Sequence, residues 1–265
     1  MNRTELYNYI QNSILMGQVV SGLEILSDYN SGQIINLEYN YNRSDNGDEL
    51  LRLLDNSVEL NGLYFKIDSN DKIILTFCNS DCKILNLGDT VDIIGPCAFA
   101  WNRHIKKVVS VSVFSIGELA FESCAVAYAE FANLKVIDAY AFKNSSIRKI
   151  NAPVLERIND YAFNGCKFLN SVNAPKLKYI FNGAFKGCTR LIETNFISME
   201  YVGEGAFEGC TSLKRFYTAK LNSVHPLAFY GIETGKKYKI PKNLGLSSAE
   251  KVKILYRMLL CEFSK

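Results

Sequence analysis

The dipeptide Ala-Phe occurs at Ala98-Phe99, Ala120-Phe121, Ala141-Phe142, Ala162-Phe163, Ala184-Phe185, Ala206-Phe207 and Ala228-Phe229, at spacings of 22, 21, 21, 22, 22 and 22 residues. Seven copies at so narrow a period commit the middle of the chain to a repeat architecture. Other positions keep step with the dipeptide. Four residues before each Ala stands Ile94, Ile116, Ile137, Ile158, Ile180, Val202 or Val224, and seven before stands Val91, Val113, Leu134, Leu155, Leu177, Met199 or Leu221. Fifteen before, the last six copies carry Ile105, Val126, Ile147, Leu169, Leu191 and Leu213. Four after the Ala comes Cys124, Cys166, Cys188 or Cys210, usually preceded by Gly.

Apolar residues return every three or four positions, yet Pro and Gly punctuate each unit, as in LNSVNAPKLKYIFNGAFKGC (169–188). That excludes one long helix. A coil this short cannot bury its apolar positions alone, whereas stacked coils share one continuous core. Stacking places the seven Phe rings in a spine under the convex side. The adjacent Ala is small enough for the turn to press on its neighbours, and Gly165, Gly187 and Gly209 supply positive φ or close backbone approach. The strand of each unit lies ten to thirteen residues before the Ala. Alternation then turns one pair of side chains outward: Lys107 with Val109, Tyr128 with Glu130, Lys149 with Asn151, Ser171 with Asn173, Glu193 with Asn195, and Arg215 with Tyr217.

These motifs resemble the BspA-type (Treponema-type) leucine-rich repeats, whose unit runs roughly L-x-x-hydrophobic-x-x-P-x-x-hydrophobic-x-x-I-x-x-x-A-F-x-G-C. The likeness covers about residues 84–232. It implies a repeat solenoid, a curved leucine-rich-repeat array with a parallel β-sheet on one face. Three departures stand out. Phe99 is followed by Ala-Trp-Asn, Asn144-Ser145 replaces Gly-Cys, and Ile232 follows Gly231. The first and last read as worn terminal coils. The middle one, beside the two 21-residue spacings, marks a local kink.

The flanks read as caps. Residues 1–83 suit a small α+β cap, with a helix from about Thr4 to Met16, a strand in QIINLEYNY (33–41), a hairpin turning at Asn61-Gly62, and a buried strand KIILTF (72–77). Residues 84–232 hold the seven coils. Residues 233–265 form a basic linker and a C-terminal capping helix, opened by the capping-box spacing Ser247-x-x-Glu250 and carrying Val252, Leu255, Leu259 and Phe263 at helical intervals.

The eight Cys fall mostly at one repeat position, which suits buried free thiols in a reducing compartment better than disulfides. Parallel thiols in a ladder do not turn toward each other as a disulfide requires. Cys78 and Cys82 form a C-x₃-C pair with no second pair or nearby His, a weak zinc signal. Neither His104 nor His225 has a catalytic neighbour at a recognisable spacing, and no phosphate-binding loop, dinucleotide fingerprint or nucleophile elbow occurs. The expectation is therefore a non-enzymatic chain without catalytic residues, metal or cofactor.

With a formal charge of only +3 the chain lacks the clustered basic character of nucleic-acid binders. No apolar run reaches membrane-spanning length. The first twenty residues show no secretory pattern, which favours the cytoplasm, with a secreted or surface location if a signal has been trimmed. The residues expected to grip a partner are Lys107, Tyr128, Glu130, Lys149, Asn151, Asn173, Glu193, Asn195, Arg215 and Tyr217, a mixture of types enriched where proteins meet. Lys106, Lys107, Arg148, Lys149, Lys214 and Arg215 outnumber Glu130 and Glu193 near the strands, so the partner expected is a protein with an acidic or polar patch. Two alternatives differ in kind: a secreted or surface adhesin for host or matrix proteins, as the resemblance implies, and an activity carried by residues 1–83 with the repeats as scaffold.

Overall fold

A computed structural model describes residues 2–19, 57–213, 215–217 and 221–232. The chain opens with α1 (Arg3–Leu15), one residue earlier at each end than the sequence suggests. Asn2 caps it: its side chain accepts from the Glu5 N–H at 2.9 Å, and the Glu5 carboxylate accepts from the Asn2 N–H at 2.9 Å. Leu6 and Ile10 are buried beneath the helix. The Arg3 guanidinium reaches Asp92 at 2.6 Å, and the same Asp92 oxygen accepts from the Ile73 N–H at 2.9 Å, fastening helix, hairpin and first coil together.

Strands β1 (Val58–Leu60) and β2 (Leu63–Ile67) form the expected hairpin, turning through Asn61 and Gly62 at φ 55° and 75°. Positive φ at both central residues matches the right-handed twist of the strands it joins. Next, β3 (Ile73–Cys78) pairs antiparallel with β2 and parallel with the solenoid beyond, so the hairpin covers the open end of the array. The strand expected at 33–41 and the helix expected beyond residue 247 lie outside the described residues.

Each coil contributes two strands. The longer series is β4 (Ile84–Gly88), β6 (Lys107–Ser110), β8 (Tyr128–Phe131), β10 (Lys149–Asn151), β12 (Ser171–Asn173), β14 (Glu193–Asn195) and β16 (Arg215–Tyr217), a seven-stranded parallel sheet in sequence order. The shorter series is β5 (Ile93–Ile94), β7 (Ser115–Ile116), β9 (Val136–Ile137), β11 (Arg157–Ile158), β13 (Tyr179–Ile180), β15 (Tyr201–Val202) and β17 (Ser223–Val224). With β1, β2 and β3 these make a second, ten-stranded sheet. One parallel sheet was expected; the second is an addition, built from two-residue strands too short to leave a period-two signature.

A third column of hydrogen bonds runs through the Ala-Phe turns. The Phe N–H of each coil donates to the Ala carbonyl of the next: Phe99 to Ala120, Phe121 to Ala141, Phe142 to Ala162, Phe163 to Ala184, Phe185 to Ala206 and Phe207 to Ala228, all at 2.6–2.7 Å. Residues two before and two after the Phe do the same, as when Tyr140 donates to Asp160 and Asn144 to Asn164. The intervening N–H groups close local turns, as from Ala141 to Asp138. To alternate in this way the backbone adopts positive φ at Leu119, Ser123, Tyr140, Asn144 and Tyr161, conformations L-residues rarely take. Gly takes these positions at Gly183 and Gly205 before the dipeptide and at Gly165, Gly187, Gly209 and Gly231 after it, and at Gly165 (φ 71°) a Cβ would collide with the Asn144 side chain. The expectation for the Gly after the dipeptide holds; positive φ at the residue before it is a finding the sequence pattern concealed.

The seven rings form the expected spine. Successive pairs from Phe99 to Phe229 lie 4.6–5.3 Å apart, centre to centre, with interplanar angles of 4–12°. The rings from Phe99 to Phe207 are wholly buried, as are nearly all the aligned aliphatic residues.

Coil length shows in one place. After Cys166, Cys188 and Cys210 an extra residue lets Lys167, Thr189 and Thr211 close a tight outward turn. In the two 21-residue coils the chain instead runs flat, with Ala125 donating to Asn102 and Ser146 to Cys124. The expected kink is thus a difference in one rim of the solenoid.

Candidate protein-binding face

The seven-stranded sheet presents its alternate side chains outward in two columns. Register aligns Ile84, Lys107, Tyr128, Lys149, Ser171, Glu193 and Arg215 in one, and Val109, Glu130, Asn151, Asn173, Asn195 and Tyr217 in the other. Inward neighbours such as Val108, Ala129, Ile150 and Val172 are buried. Six of the ten residues expected to bind, Lys107, Tyr128, Glu130, Lys149, Asn151 and Asn173, therefore share one surface at strand spacing. Side-chain positions at Glu193, Asn195, Arg215 and Tyr217 lie outside the described residues; their places come from the backbone register alone.

Within the face, the Lys107 ammonium meets Glu130 at 2.6 Å, and the Asn173 amide donates to the Asn151 side-chain oxygen at 2.6 Å. Tyr128, Lys149, Asn151 and Asn173 are exposed. The face is thus partly knitted together across strands, with Tyr128 at 44% exposure and Ile84 at 65% as apolar features. Such cross-strand pairs contribute about 0.2–1 kcal/mol each and restrict the side chains' rotamers.

The rim where each coil enters the sheet holds residues that the repeat pattern did not single out. Phe168, 42% exposed, stands on the extra turn of its coil. The Arg148 and Arg190 guanidiniums lie 5.7 and 5.3 Å from its ring centre, within cation–π range. The sequence signal for Phe168 and Arg190 was the 22-residue spacing, whose added residue projects them from the coil, while Arg148 stands on the flat 21-residue coil before them.

Burial holds three of the aligned thiols in the protonated form at neutral pH. Burial pushes Cys124 and Cys210 up to about 12, and raises Cys188 well above the ordinary thiol value for the same reason. Cys166, Cys188 and Cys210 lie 2.8–3.1 Å from the carbonyls of Phe142, Phe163 and Phe185, positioned to donate S–H hydrogen bonds. Ser145 takes the thiol's place in the intervening coil, 3.5 Å from the Cys166 sulfur. Cys78, Cys82 and Cys97 are also free. His104 and His225 stand at opposite ends of the array. Among the described residues no group of three or more His, Cys, Asp or Glu is arranged to hold a metal ion, and no described helix is long and apolar enough to cross a membrane.

Parallel coils, a shared ring spine and an outward strand face define a leucine-rich-repeat solenoid. The sequence model of the BspA type leucine-rich-repeat region matches in six copies, over residues 74–154 and 135–248. The chain belongs to that family. Among solved structures it is similar to a leucine-rich-repeat protein from Eubacterium ventriosum, at 17% identity and a TM-score of 0.59, covering 69% of this chain and 53% of that one. It is also similar to the T. pallidum leucine-rich-repeat protein, at 22% identity and a TM-score of 0.43, covering 59% of this chain and 90% of that one. No curated protein matches the sequence.

Proposed function

We propose that this protein is a non-enzymatic binding module that captures another protein on the outward face of its seven-stranded sheet. The observation that carries the reading is the register itself. It brings Lys107, Tyr128, Glu130, Lys149, Asn151 and Asn173, separated by up to 66 residues in sequence, onto one exposed surface at strand spacing. A rigid sheet presents such a surface with little ordering cost on association. Family membership supports the same reading, since repeat solenoids use extended faces of this kind for recognition. The partner has a polar or acidic surface that complements Lys107 and Lys149.

The test is affinity capture from native lysate with the wild-type chain and with a Tyr128→Ala, Lys149→Ala, Asn173→Ala triple variant. These side chains are exposed, so the variant is expected to fold and to lose the captured protein. Capture at wild-type level by the folded variant would refute the face as the binding surface.

A further inference from the structure

We propose that the rim centred on Phe168 is a second recognition site, shaped for an acidic linear segment of a partner protein; the proposal rests on the reading of the chain as a protein-binding module. The segment sets an apolar side chain against the exposed Phe168 ring and its carboxylates against Arg148 and Arg190.

Charge segregation around the coil carries the argument. From Arg103 to Arg190, the stretches entering the sheet read WNRHIKK (101–107), SCAVAY (123–128), NSSIRK (144–149), GCKFLNS (165–171) and GCTRLI (187–192). They hold Arg103, Lys106, Lys107, Arg148, Lys149, Lys167 and Arg190, and the one carboxylate at an equivalent position is Glu193, which follows the fifth stretch where the other four end on Lys107, Tyr128, Lys149 and Ser171. Elsewhere cations meet carboxylates on a neighbouring coil: Lys178 with Glu156, Lys186 with Glu208, Lys143 with Glu122. Arg148, Lys149, Lys167 and Arg190 form no ion pair among the described residues. Two guanidiniums on one ring repel each other, and an anionic partner relieves that repulsion.

Geometry narrows the ligand. Arg148 and Arg190 come from coils on either side of the one bearing Phe168, two strand spacings or about 10 Å apart. An extended peptide advances about 3.3 Å per residue and turns every second side chain to the same side, so carboxylates four residues apart, about 13 Å, bracket the pair with an apolar residue midway against the exposed edge of the ring. Guanidinium forks bind carboxylates in bidentate fashion, and contact with the ring face fixes their planes beforehand. Single-stranded nucleic acid is the poorer fit, because such grooves offer several stacking aromatics and these stretches expose two among the described residues, Phe168 and, two coils away, Tyr128.

The experiment is fluorescence anisotropy on the full chain with a fluorescein-labelled peptide of pattern Asp-x-Leu-x-Asp flanked by Glu. One control peptide replaces every Asp and Glu by its amide; the other replaces Leu by Gly. The wild-type chain is expected to bind the first peptide at least about tenfold more tightly than either control, the loss typical of removing a central anchor. Arg148→Gln with Arg190→Gln abolishes the preference for acidic residues, Phe168→Ala abolishes the preference for Leu, and an Asn151→Ala, Asn173→Ala variant of the sheet face keeps both. All three rim side chains are exposed, so thermal melts are expected to match wild type. Equal affinity for the Leu and Gly peptides, or unchanged binding by the rim variants, would overturn the proposal. So would displacement of the Leu peptide by oligo-dT at a lower concentration than by unlabelled peptide. Rim variants that capture the lysate partner normally while the face variant does not would count against the rim and leave the face standing; the reverse would count against the face alone.

Discussion

A phenylalanine in this array is worth more than its own burial. Phe163 is stacked between Phe142 at 5.0 Å and Phe185 at 5.2 Å and is wholly buried, so truncation leaves a cavity lined by two rings held in place by their own coils. Phe163→Ala is expected to cost about 3–5 kcal/mol, read from the shift in denaturation midpoint at unchanged m-value. The aligned thiols make a pH-dependent contribution of the opposite kind to a paired carboxylate. The folded pKa of Cys124, Cys188 and Cys210 lies above the ordinary value of 9.0, at about 12 for Cys124 and Cys210. The stability they contribute is complete below pH 9 and is lost as pH rises toward 12, because the unfolded chain releases its thiol protons first. Melting temperature is therefore expected to fall over that window, and less steeply in Cys210→Ala; identical slopes would show that the thiol column is not responsible. Below pH 9 the buried thiols are expected to resist a disulfide-exchange reagent until the coil opens.

At the scale of the element, one turn position shows how environment sets the weight of an ion pair between coils. Two residues after the Ala, Glu122 meets Lys143 at 2.9 Å and Glu208 meets Lys186 at 2.9 Å. The Glu122 side chain is 2% exposed with one oxygen lacking a hydrogen-bond partner, whereas Glu208 and Lys186 are both open to water. Lys143→Met strands a buried carboxylate and is expected to destabilise by about 3 kcal/mol. Lys186→Met is expected to cost under about 1 kcal/mol, as screened surface pairs do. Equal losses in paired denaturation curves would mean that Glu122 escapes to solvent when its partner is removed. The rim turn belongs to this scale too: one added residue after Cys166 projects Phe168, while the flat coil before it sets Arg148 alongside.

Across the whole molecule, stability is transmitted from coil to coil, since each touches only its neighbours. The amino-terminal cap protects the first coil through Ile10, wholly buried, and through the Arg3–Asp92 pair. Ile10→Ala is expected to speed amide exchange at Asp92 and Gly95, which donate to Ile73 and Leu75, while leaving Phe142 and Phe163 nearly unchanged. Equal acceleration at all four amides would show that the array opens as one cooperative unit.

Much of this fold was legible in the residues themselves. The Ala-Phe period, the aligned aliphatic positions and the alternation at Lys107, Tyr128 and Lys149 specified a stacked array, its buried set and its outward face, because each depends only on local periodicity repeated in register. The hairpin at Asn61-Gly62 and the first helix followed from short-range turn and cap chemistry. Other features depend on where successive coils come to rest. The second sheet is made of two-residue strands that gain their hydrogen bonds only from neighbours about 22 residues away. Positive φ at Leu119, Tyr140 and Tyr161 is imposed by donation to the next coil rather than by residue type. The grouping of Arg148, Phe168 and Arg190 depends on three chain segments meeting at one rim, a distance relation that no single repeat contains.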